Sequence, residues 1–335
     1  MKNGSKNNLL IRCAVVILMT ASTFFVIELV LRLFDPLGVS YFSEVDAYFD
    51  ILETKDNYSY IHPALMDEIF QGVSVQTNSR GLRGPEFPFQ KPEGLKRLLI
   101  LGDSIVFGWG VEYENTFPAL IQRNFDLSDI HTEVIPAGVC SWNTRTEYEY
   151  FKREAIKFSP DILMLVIVGN DTDPKDNSNI EIGKEELLDL VYRPNTEQDI
   201  LRRIWFGLVE LSYVFRHFQF AVKMLTEKDY EKITGRDDLT WLDTQLALDG
   251  MISLCEEEGV SFIPVLYGGS ESYMTHPILS MYAEYFDENS IDYFTVPEKL
   301  FSSSRYQNSA IDNHPNPEGH RIIAGHLFRI LTETD

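Results

Sequence analysis

Short, strongly apolar runs separated by segments long enough for a helix constrain the fold of this 335-residue chain more than any other feature. A run of this kind, bounded by turn residues, is typical of a strand that is buried on both faces of a sheet. The runs occupy residues 97–101, 133–136, 161–168, 260–267 and 292–296. Because helix-length segments alternate with them, we predict an α/β fold with a doubly wound parallel sheet and right-handed crossovers.

Four short polar motifs lie at or beyond the ends of these predicted strands. In chain order they are Gly102-Asp103-Ser104, Gly138, Gly169-Asn170-Asp171 and Asp312-Asn313-His314-Pro315-Asn316. In open parallel sheets, ligands bind outside the carboxyl ends of the strands. The sequence therefore predicts that the four motifs converge at one edge of the sheet.

Together the motifs contain the parts of a serine-hydrolase site. The Ser104 hydroxyl is a weak nucleophile until a base removes its proton, and His314 is the candidate base. Asp312 can hold the imidazole in the required tautomer and stabilise the imidazolium. Three donors are expected for a developing oxyanion, namely the backbone N–H groups of Ser104 and Gly138 and the side-chain amide of Asn170.

Each motif taken alone has a simpler interpretation. Gly102-Asp103-Ser104 and Gly169-Asn170-Asp171 have the composition of ordinary turns. The segment around His314 could be a helix start, with Asn316 as the cap and Pro317 in the first turn. The order of the motifs and their common place at strand ends favour the catalytic interpretation.

These residues resemble the SGNH (GDSL-type) serine hydrolases, a family named for the Ser, Gly, Asn and His of four sequence blocks. Ser104 matches the first block, Gly138 the second, Asn170 the third and His314 the last. The resemblance covers residues 96–331 and implies a three-layer α/β/α, flavodoxin-like fold. It also implies ester hydrolysis or acyl transfer through an acyl-serine, without a metal or another cofactor.

The chain departs from the family pattern at one position. The triad acid of the family usually stands three residues before the histidine, where this chain has Ile311. Asp312 stands two residues before His314, a spacing that resembles polysaccharide O-acetyltransferases of the same superfamily. In those enzymes, however, the acid-histidine motif precedes the serine. The departure therefore keeps an O-acyltransferase as an alternative.

The N-terminus carries a candidate membrane anchor. Residues 13–31 form a 19-residue apolar run that only Glu28 interrupts, close to the length needed to cross about 30 Å of hydrocarbon. Arg32 can pair with Glu28 at i,i+4. Basic residues precede the run and acidic residues dominate after it, which predicts a cytoplasmic N-terminus and an external remainder. The alternative is a signal peptide that is cleaved after residues 20–22.

The sequence divides into three predicted parts. Residues 1–33 form the cytoplasmic tip and anchor, residues 34–95 a juxtamembrane collar without a clear helical period, and residues 96–335 the hydrolase domain. Residues 172–238 interrupt the strand–helix rhythm and are predicted to be an insertion, either a lid over the strand ends or a surface excursion.

The formal net charge of −22 argues against a nucleic-acid partner, because phosphate binding depends on clustered Lys and Arg. We predict a single-pass, extracytoplasmic serine esterase of the cell membrane whose partners are the bilayer, through residues 13–31, and an acyl ester on a glycan or lipid. Two alternatives are an O-acyltransferase for an envelope polysaccharide and a non-catalytic assembly protein that retains the fold.

Overall fold

The computed structural model describes residues 3–55, 58–169, 171, 208–209, 211–226, 238–268 and 277–333. Contacts between residues divide the chain into two compact units. The first unit comprises Met1–Phe42 and Glu185–Ile233, and the second comprises Ser43–Lys184 and Thr234–Asp335. The predicted oxyanion donor Asn170 lies outside the described residues, as do most residues of the predicted insertion. Described parts of that insertion are residues 208–209, 211–226 and 238.

The first unit contains two described helices. Helix α1 is Asn3–Phe34, and its segment Leu10–Phe34 is long and apolar enough to cross a membrane by length and composition. It includes the predicted anchor, and the predicted ion pair forms, with Arg32 Nε 2.7 Å from Glu28 Oε1. The other helix, Tyr213–Thr226, comes from the insertion and is labelled α6 in chain order.

The segment before the hydrolase strands is more regular than its sequence indicates. It contains helix α2 (Ser40–Ile51) and two antiparallel hairpins, which pair β1 (Glu53–Lys55) with β2 (Tyr58–Ile61) and β3 (Asp67–Phe70) with β4 (Val73–Gln76). Residues 40–51 form helix α2, although residues 34–95 have no clear helical period in the sequence. Strands of three or four residues are too short to show a period, and their stability comes from packing.

Five parallel strands form the central sheet of the second unit. They are β5 (Lys96–Gly102), β6 (Thr132–Gly138), β7 (Ile162–Ile167), β8 (Ser261–Leu266) and β9 (Phe294–Thr295). Their spatial order is β6-β5-β7-β8-β9, the flavodoxin-like order of doubly wound folds. The chain reverses its direction of travel across the sheet at β5 and β7, so the crevice for a ligand is expected beyond those two strands.

Helices cover both faces of this sheet. They are α3 (Ser104–Phe107), α4 (Phe117–Leu127), α5 (Thr144–Arg153), α7 (Asp238–Glu258), α8 (Pro277–Glu288) and α9 (Pro317–Glu333). Leu98 and Ile100 of β5 share one buried cluster with α4 and α9, whereas α5 packs against α7. The predicted α/β fold with three layers is therefore confirmed.

Candidate active site

Ser104, the predicted nucleophile, lies at the junction between strand β5 and a short helix. Strand β5 ends at Gly102, Asp103 caps the helix by accepting the Ile105 N–H at 2.9 Å, and Ser104 is the first residue of α3. A carboxylate at this cap position satisfies an N–H that would otherwise lack a partner within the helix. Gly108 ends α3 with φ of +77°, a conformation that glycine adopts without strain.

Ser104, His314 and Asp312 form one continuous hydrogen-bonded row. Ser104 Oγ lies 2.8 Å from His314 Nε2, and His314 Nδ1 lies 2.5 Å from Asp312 Oδ1. A carboxylate oxygen can only accept, so Nδ1 carries the imidazole proton and Nε2 is left to accept the serine proton. The two motifs that supply these residues are 210 residues apart in sequence.

Local hydrogen bonds hold the Asp312 carboxylate in place, although it is fully buried. Oδ1 also accepts the His314 backbone N–H at 3.1 Å, and Oδ2 accepts the Asn308 amide at 3.1 Å. The same amide donates to the Trp109 carbonyl at 2.9 Å, which joins this loop to the one after α3. Gly110 permits this contact, because a Cβ there would lie 2.4 Å from Asn308 Nδ2.

Sequence reasoning assigned no role to Asn308. The sequence feature most closely related to this contact is the glycine-rich loop after Ser104, because Gly110 leaves room for the Asn308 amide to reach the Trp109 carbonyl. Ile311, at the position usual for the family's acid, is half-buried and its backbone N–H donates to Ser309 Oγ at 3.2 Å. The carboxylate that reaches His314 therefore comes from the position two residues before the histidine.

Gly138, the second predicted oxyanion donor, ends β6 and pairs in register with Gly102 of β5. A Cβ at Gly138 would lie 2.3 Å from the Phe107 backbone nitrogen and 2.7 Å from the Val106 carbonyl carbon. Because backbone atoms cannot move aside cheaply, only glycine lets β6 end this close to the serine helix.

Asp171, the residue after Asn170 in the sequence, connects two elements of the described structure. Asp171 is buried, its Oδ2 accepts the Val168 N–H at 2.8 Å, and its carbonyl accepts the Thr144 N–H at 3.3 Å. Asp171 thereby joins the end of the β7 segment to the start of α5. Sequence reasoning treated Asp171 only as part of the motif.

A second acidic residue, Glu147 of α5, is buried within the electrostatic reach of Asp103. It has no exposed surface, and neither carboxylate oxygen has a hydrogen-bond partner among the described residues. Burial raises the pKa of Glu147 well above its ordinary value of 4.5, and the charge of Asp103 raises it further. The pKa of Asp103 is also raised, chiefly by burial. Burial therefore favours the protonated form of Glu147 over the carboxylate.

The segment before the hydrolase strands fastens the loop that follows the nucleophile. The buried guanidinium of Arg83 donates to the carbonyls of Phe107, Gly108 and Val111 at 2.7–2.9 Å. It also donates to the Ser74 carbonyl at 3.2 Å. Since Arg83 belongs to the glycine-rich turn at residues 78–85, this turn stabilises the chain immediately after Ser104.

Two further histidines of this unit are fully buried. Burial lowers the pKa of His62 to about 4 and that of His320 to about 3. His320 Nδ1 accepts the Phe117 N–H at 3.1 Å, and the two rings are stacked. Both rings are neutral at pH 7, and neither is within hydrogen-bond distance of Ser104 in the described structure.

The arrangement has the groups that acyl transfer requires: a hydroxyl, a base on that hydroxyl and a carboxylate on the base. In the described part of the chain, no three His, Cys, Asp or Glu side chains are grouped as metal ligands.

Comparisons with known proteins agree with this architecture. The model of the GDSL-like lipase/acylhydrolase family matches residues 100–322, about two thirds of the chain. A search of curated proteins found no match.

Similar solved structures include the psychrotrophic esterase EstA from Pseudoalteromonas sp., with 12% identity, a TM-score of 0.44 and coverage of 71% of this chain and 97% of EstA. A GDSL-like lipase from Bacteroides thetaiotaomicron has 12% identity, a TM-score of 0.41 and coverage of 73% and 92%. The lipase/acylhydrolase from Enterococcus faecalis has 12% identity, a TM-score of 0.39 and coverage of 72% and 97%. The extent of the family match decides the assignment: the chain belongs to the GDSL-like lipase/acylhydrolase family and is an ester hydrolase.

Proposed function

We propose that the chain is a membrane-tethered, extracytoplasmic serine esterase that hydrolyses acyl esters carried by a glycan or a lipid. The observation that carries the chemistry is the hydrogen-bonded row from Ser104 Oγ through His314 to Asp312, with contacts of 2.8 and 2.5 Å. The expected nucleophile, base and orienting acid are these three residues.

In the first half of the reaction, His314 Nε2 takes the hydroxyl proton as Ser104 Oγ attacks the ester carbonyl carbon. The backbone N–H groups of Ser104 and Gly138 and the Asn170 amide stabilise the oxyanion. His314 then returns the proton to the departing alcohol, and the acyl group stays on Ser104. Asp312 stabilises the imidazolium that exists between these steps.

In the second half, water takes the place of the alcohol. His314 removes a proton from the water as its oxygen attacks the acyl-serine carbonyl, and the proton passes to Ser104 Oγ when the acid is released. A sugar hydroxyl in place of water would give acyl transfer. The spacing that brings Asp312 rather than residue 311 to His314 favours keeping this second candidate, because it is the spacing of the O-acetyltransferases that the sequence resembles.

Product analysis separates the two candidates. The full chain in detergent is incubated with an aryl acetate, with and without a polysaccharide acceptor, and acetate release is measured beside acetylation of the acceptor. We expect free acetate in both incubations and no acetylated polymer. Acetylation of the polysaccharide that requires Ser104 would support the O-acyltransferase instead of the esterase. If Ser104→Ala released as much acetate as the unmodified chain, both candidate functions would be excluded.

The proposed location rests on α1, whose apolar segment Leu10–Phe34 is preceded by basic residues and followed by acidic ones. Leu246 of α7 is 59% exposed and suits a reporter cysteine. In intact cells that express Leu246→Cys, we expect labelling by a membrane-impermeant maleimide. Labelling only after lysis would place the hydrolase on the cytoplasmic side.

A further inference from the structure

The acidic residue inside the apolar helix binds the start of another helix. Glu28 Oε2 accepts the Ser212 hydroxyl at 2.7 Å and the Val214 N–H at 3.1 Å, and Oε1 accepts the Tyr213 N–H at 3.0 Å. The first N–H groups of a helix have no partner within it, and a carboxylate there also interacts favourably with the helix dipole. Glu28 of α1 therefore caps α6 from outside.

Arg32, one turn further along α1, also binds residues at the start of α6. We call these contacts of Glu28 and Arg32 with residues 211–214 the joint between α1 and α6. Besides its ion pair with Glu28, Arg32 donates from Nη2 to the Leu211 carbonyl at 2.5 Å, and its guanidinium lies 5.0 Å from the centre of the Tyr213 ring. Phe24 of α1 also contacts Phe215 of α6, with ring centres 6.0 Å apart. A carboxylate inside an apolar segment is costly unless it is paired, and this joint supplies the pairing.

The position of this joint relative to a bilayer follows from the rise per residue along α1. At about 1.5 Å per residue, the 25-residue apolar segment is about 37 Å long, and Glu28 lies about 9 Å before its end at Phe34. A hydrocarbon core of about 30 Å that begins at Leu10 therefore ends close to Glu28. In a membrane crossed by this segment, the first turn of α6 would lie at the boundary between acyl chains and headgroups.

Helix α6 exposes an apolar stripe next to this boundary. Leu211 is 75% exposed, Phe218 57% and Val222 42%. Within the helix, Phe215, Phe218 and Val222 follow the spacing i, i+3 and i+7, which places them on one side of it, and Leu211 lies two residues before its start. In water such a stripe is unfavourable, whereas at a membrane interface it is the face that enters the acyl region.

The charge of α6 fits the same surroundings. The chain carries 51 acidic and 29 basic residues, yet the segment Tyr213–Thr226 contains Arg216 and Lys223 and no Asp or Glu. Basic residues with aromatic and aliphatic ones are typical of helices that lie on anionic membranes.

We propose that α6 is an interfacial helix that inserts Phe218 and Val222, together with Leu211 just before its start, into the outer leaflet of the membrane crossed by α1, where Glu28 and Arg32 fix the start of α6. This inference rests on the membrane anchoring included in the proposed function. It gives part of the 172–238 insertion a membrane-binding role in place of a lid.

Spin-label depth measurements on the full chain test the proposal. The chain, with Cys13→Ser, is reconstituted in vesicles of three parts phosphatidylethanolamine to one part phosphatidylglycerol, because the remaining Cys140 and Cys255 are buried. Labels are placed one at a time at Phe218→Cys, at Phe25→Cys on α1 and at Leu246→Cys on α7. Collision with oxygen reports acyl chains, and collision with a water-soluble nickel chelate reports solvent.

We expect the labels at 218 and 25 to favour oxygen and the label at 246 to favour nickel. Oxygen contact at 25 with nickel contact at 218 would overturn the interfacial helix but leave the anchor intact. Nickel contact at 25 would overturn the anchor, and with it this inference. A label at 218 that neither reagent reaches would show protein on the stripe and would equally overturn the proposal.

Glu28→Leu tests the joint, because it makes α1 more apolar while it removes the cap of α6. We expect the label at 25 to keep its depth and the label at 218 to shift severalfold toward nickel contact. An unchanged depth at 218 would contradict the role assigned to Glu28.

Discussion

Two regions of the second unit contain the same hydrogen-bonded pattern, in which a hydroxyl, an imidazole and an oxygen acceptor stand in a row. In one, Ser104 Oγ contacts His314 Nε2, and Asp312 contacts Nδ1. In the other, Tyr48 OH lies 2.6 Å from His62 Nε2, and the Gly81 carbonyl lies 3.1 Å from Nδ1. Both rows therefore use the same tautomer.

The two rows differ in charge and in access to solvent. His314 faces a carboxylate and keeps 15% of its side chain exposed, whereas His62 faces a neutral carbonyl and is buried with Tyr48. Burial lowers the pKa of His62 to about 4, so this ring resists the proton that a general base must accept. The Tyr48 oxygen in addition accepts the Cys140 N–H at 3.2 Å. The two rows thus share their hydrogen-bond geometry and differ in the properties that a general base needs.

The largest difference between the two rows is expected in kcat/KM when each histidine is replaced by asparagine. His314→Asn removes the proposed base and should lower kcat/KM for an aryl acetate by about 10⁴-fold or more. His62→Asn should lower the melting temperature, because a buried network is broken, and change kcat/KM by less than about fivefold. Esterase assays and thermal unfolding of both variants check this. Equal losses of activity in two folded variants would contradict the distinction.

Asp312→Asn changes the acceptor on Nδ1 while it preserves shape, so it sharpens the same comparison. We expect kcat to fall by about 10³-fold with little change in melting temperature, because the neutral amide no longer fixes the tautomer or stabilises the imidazolium. Adding Ile311→Asp to this variant should restore nothing, since Ser309 and Asn308 hold residue 312 against His314. Recovery of activity in the double variant would make residue 311 an equivalent source of the acid.

The smallest expected effect concerns stability and the buried acid beside the site. In the unfolded chain the pKa of Glu147 is near its ordinary value of 4.5, whereas burial raises this pKa well above that value in the folded chain. The folded state therefore binds more protons above pH 4.5, and stability falls as the pH rises through this range. Glu147→Gln should remove this loss and raise the free energy of unfolding by about 1–2 kcal/mol at pH 8, with no gain near pH 4.

Glu149→Gln is the matched control on the same helix, because Glu149 is partly exposed and pairs with Arg153 at 2.8 Å. It should change stability by less than about 0.5 kcal/mol at either pH. Denaturant unfolding at pH 4 and pH 8 distinguishes the two variants. A gain for Glu147→Gln that is the same at both pH values would contradict a raised pKa of Glu147 in the folded chain.

Much of the fold could be predicted because its information is local. Each core strand is an apolar run, and the structure places β5 at Lys96–Gly102, where residues 97–101 were predicted. Ser104 and His314 could be proposed because their motifs combine reactive side chains with turn residues. The proximity of these motifs then followed from the geometry of parallel sheets.

Other parts of the site depend on contacts between distant segments. Arg83 donates hydrogen bonds to loop carbonyls that are more than 20 residues away in the sequence. Glu147 differs from an ordinary surface glutamate only in its burial. Asn308 lies in a polar loop whose composition does not reveal which amide will reach Asp312. Such partners are decided by packing, which leaves no periodic signal in the sequence.

Reaction with a fluorophosphonate probe tests the central claim most directly, because the probe phosphonylates a serine, with loss of fluoride, only when a base activates it. Peptide mass spectrometry should find the adduct on Ser104 in the unmodified chain and in His62→Asn, and should find none in His314→Asn. An adduct that persists at the same rate in His314→Asn, or that forms on a residue other than Ser104, would contradict the assignment of Ser104, His314 and Asp312 as the catalytic row.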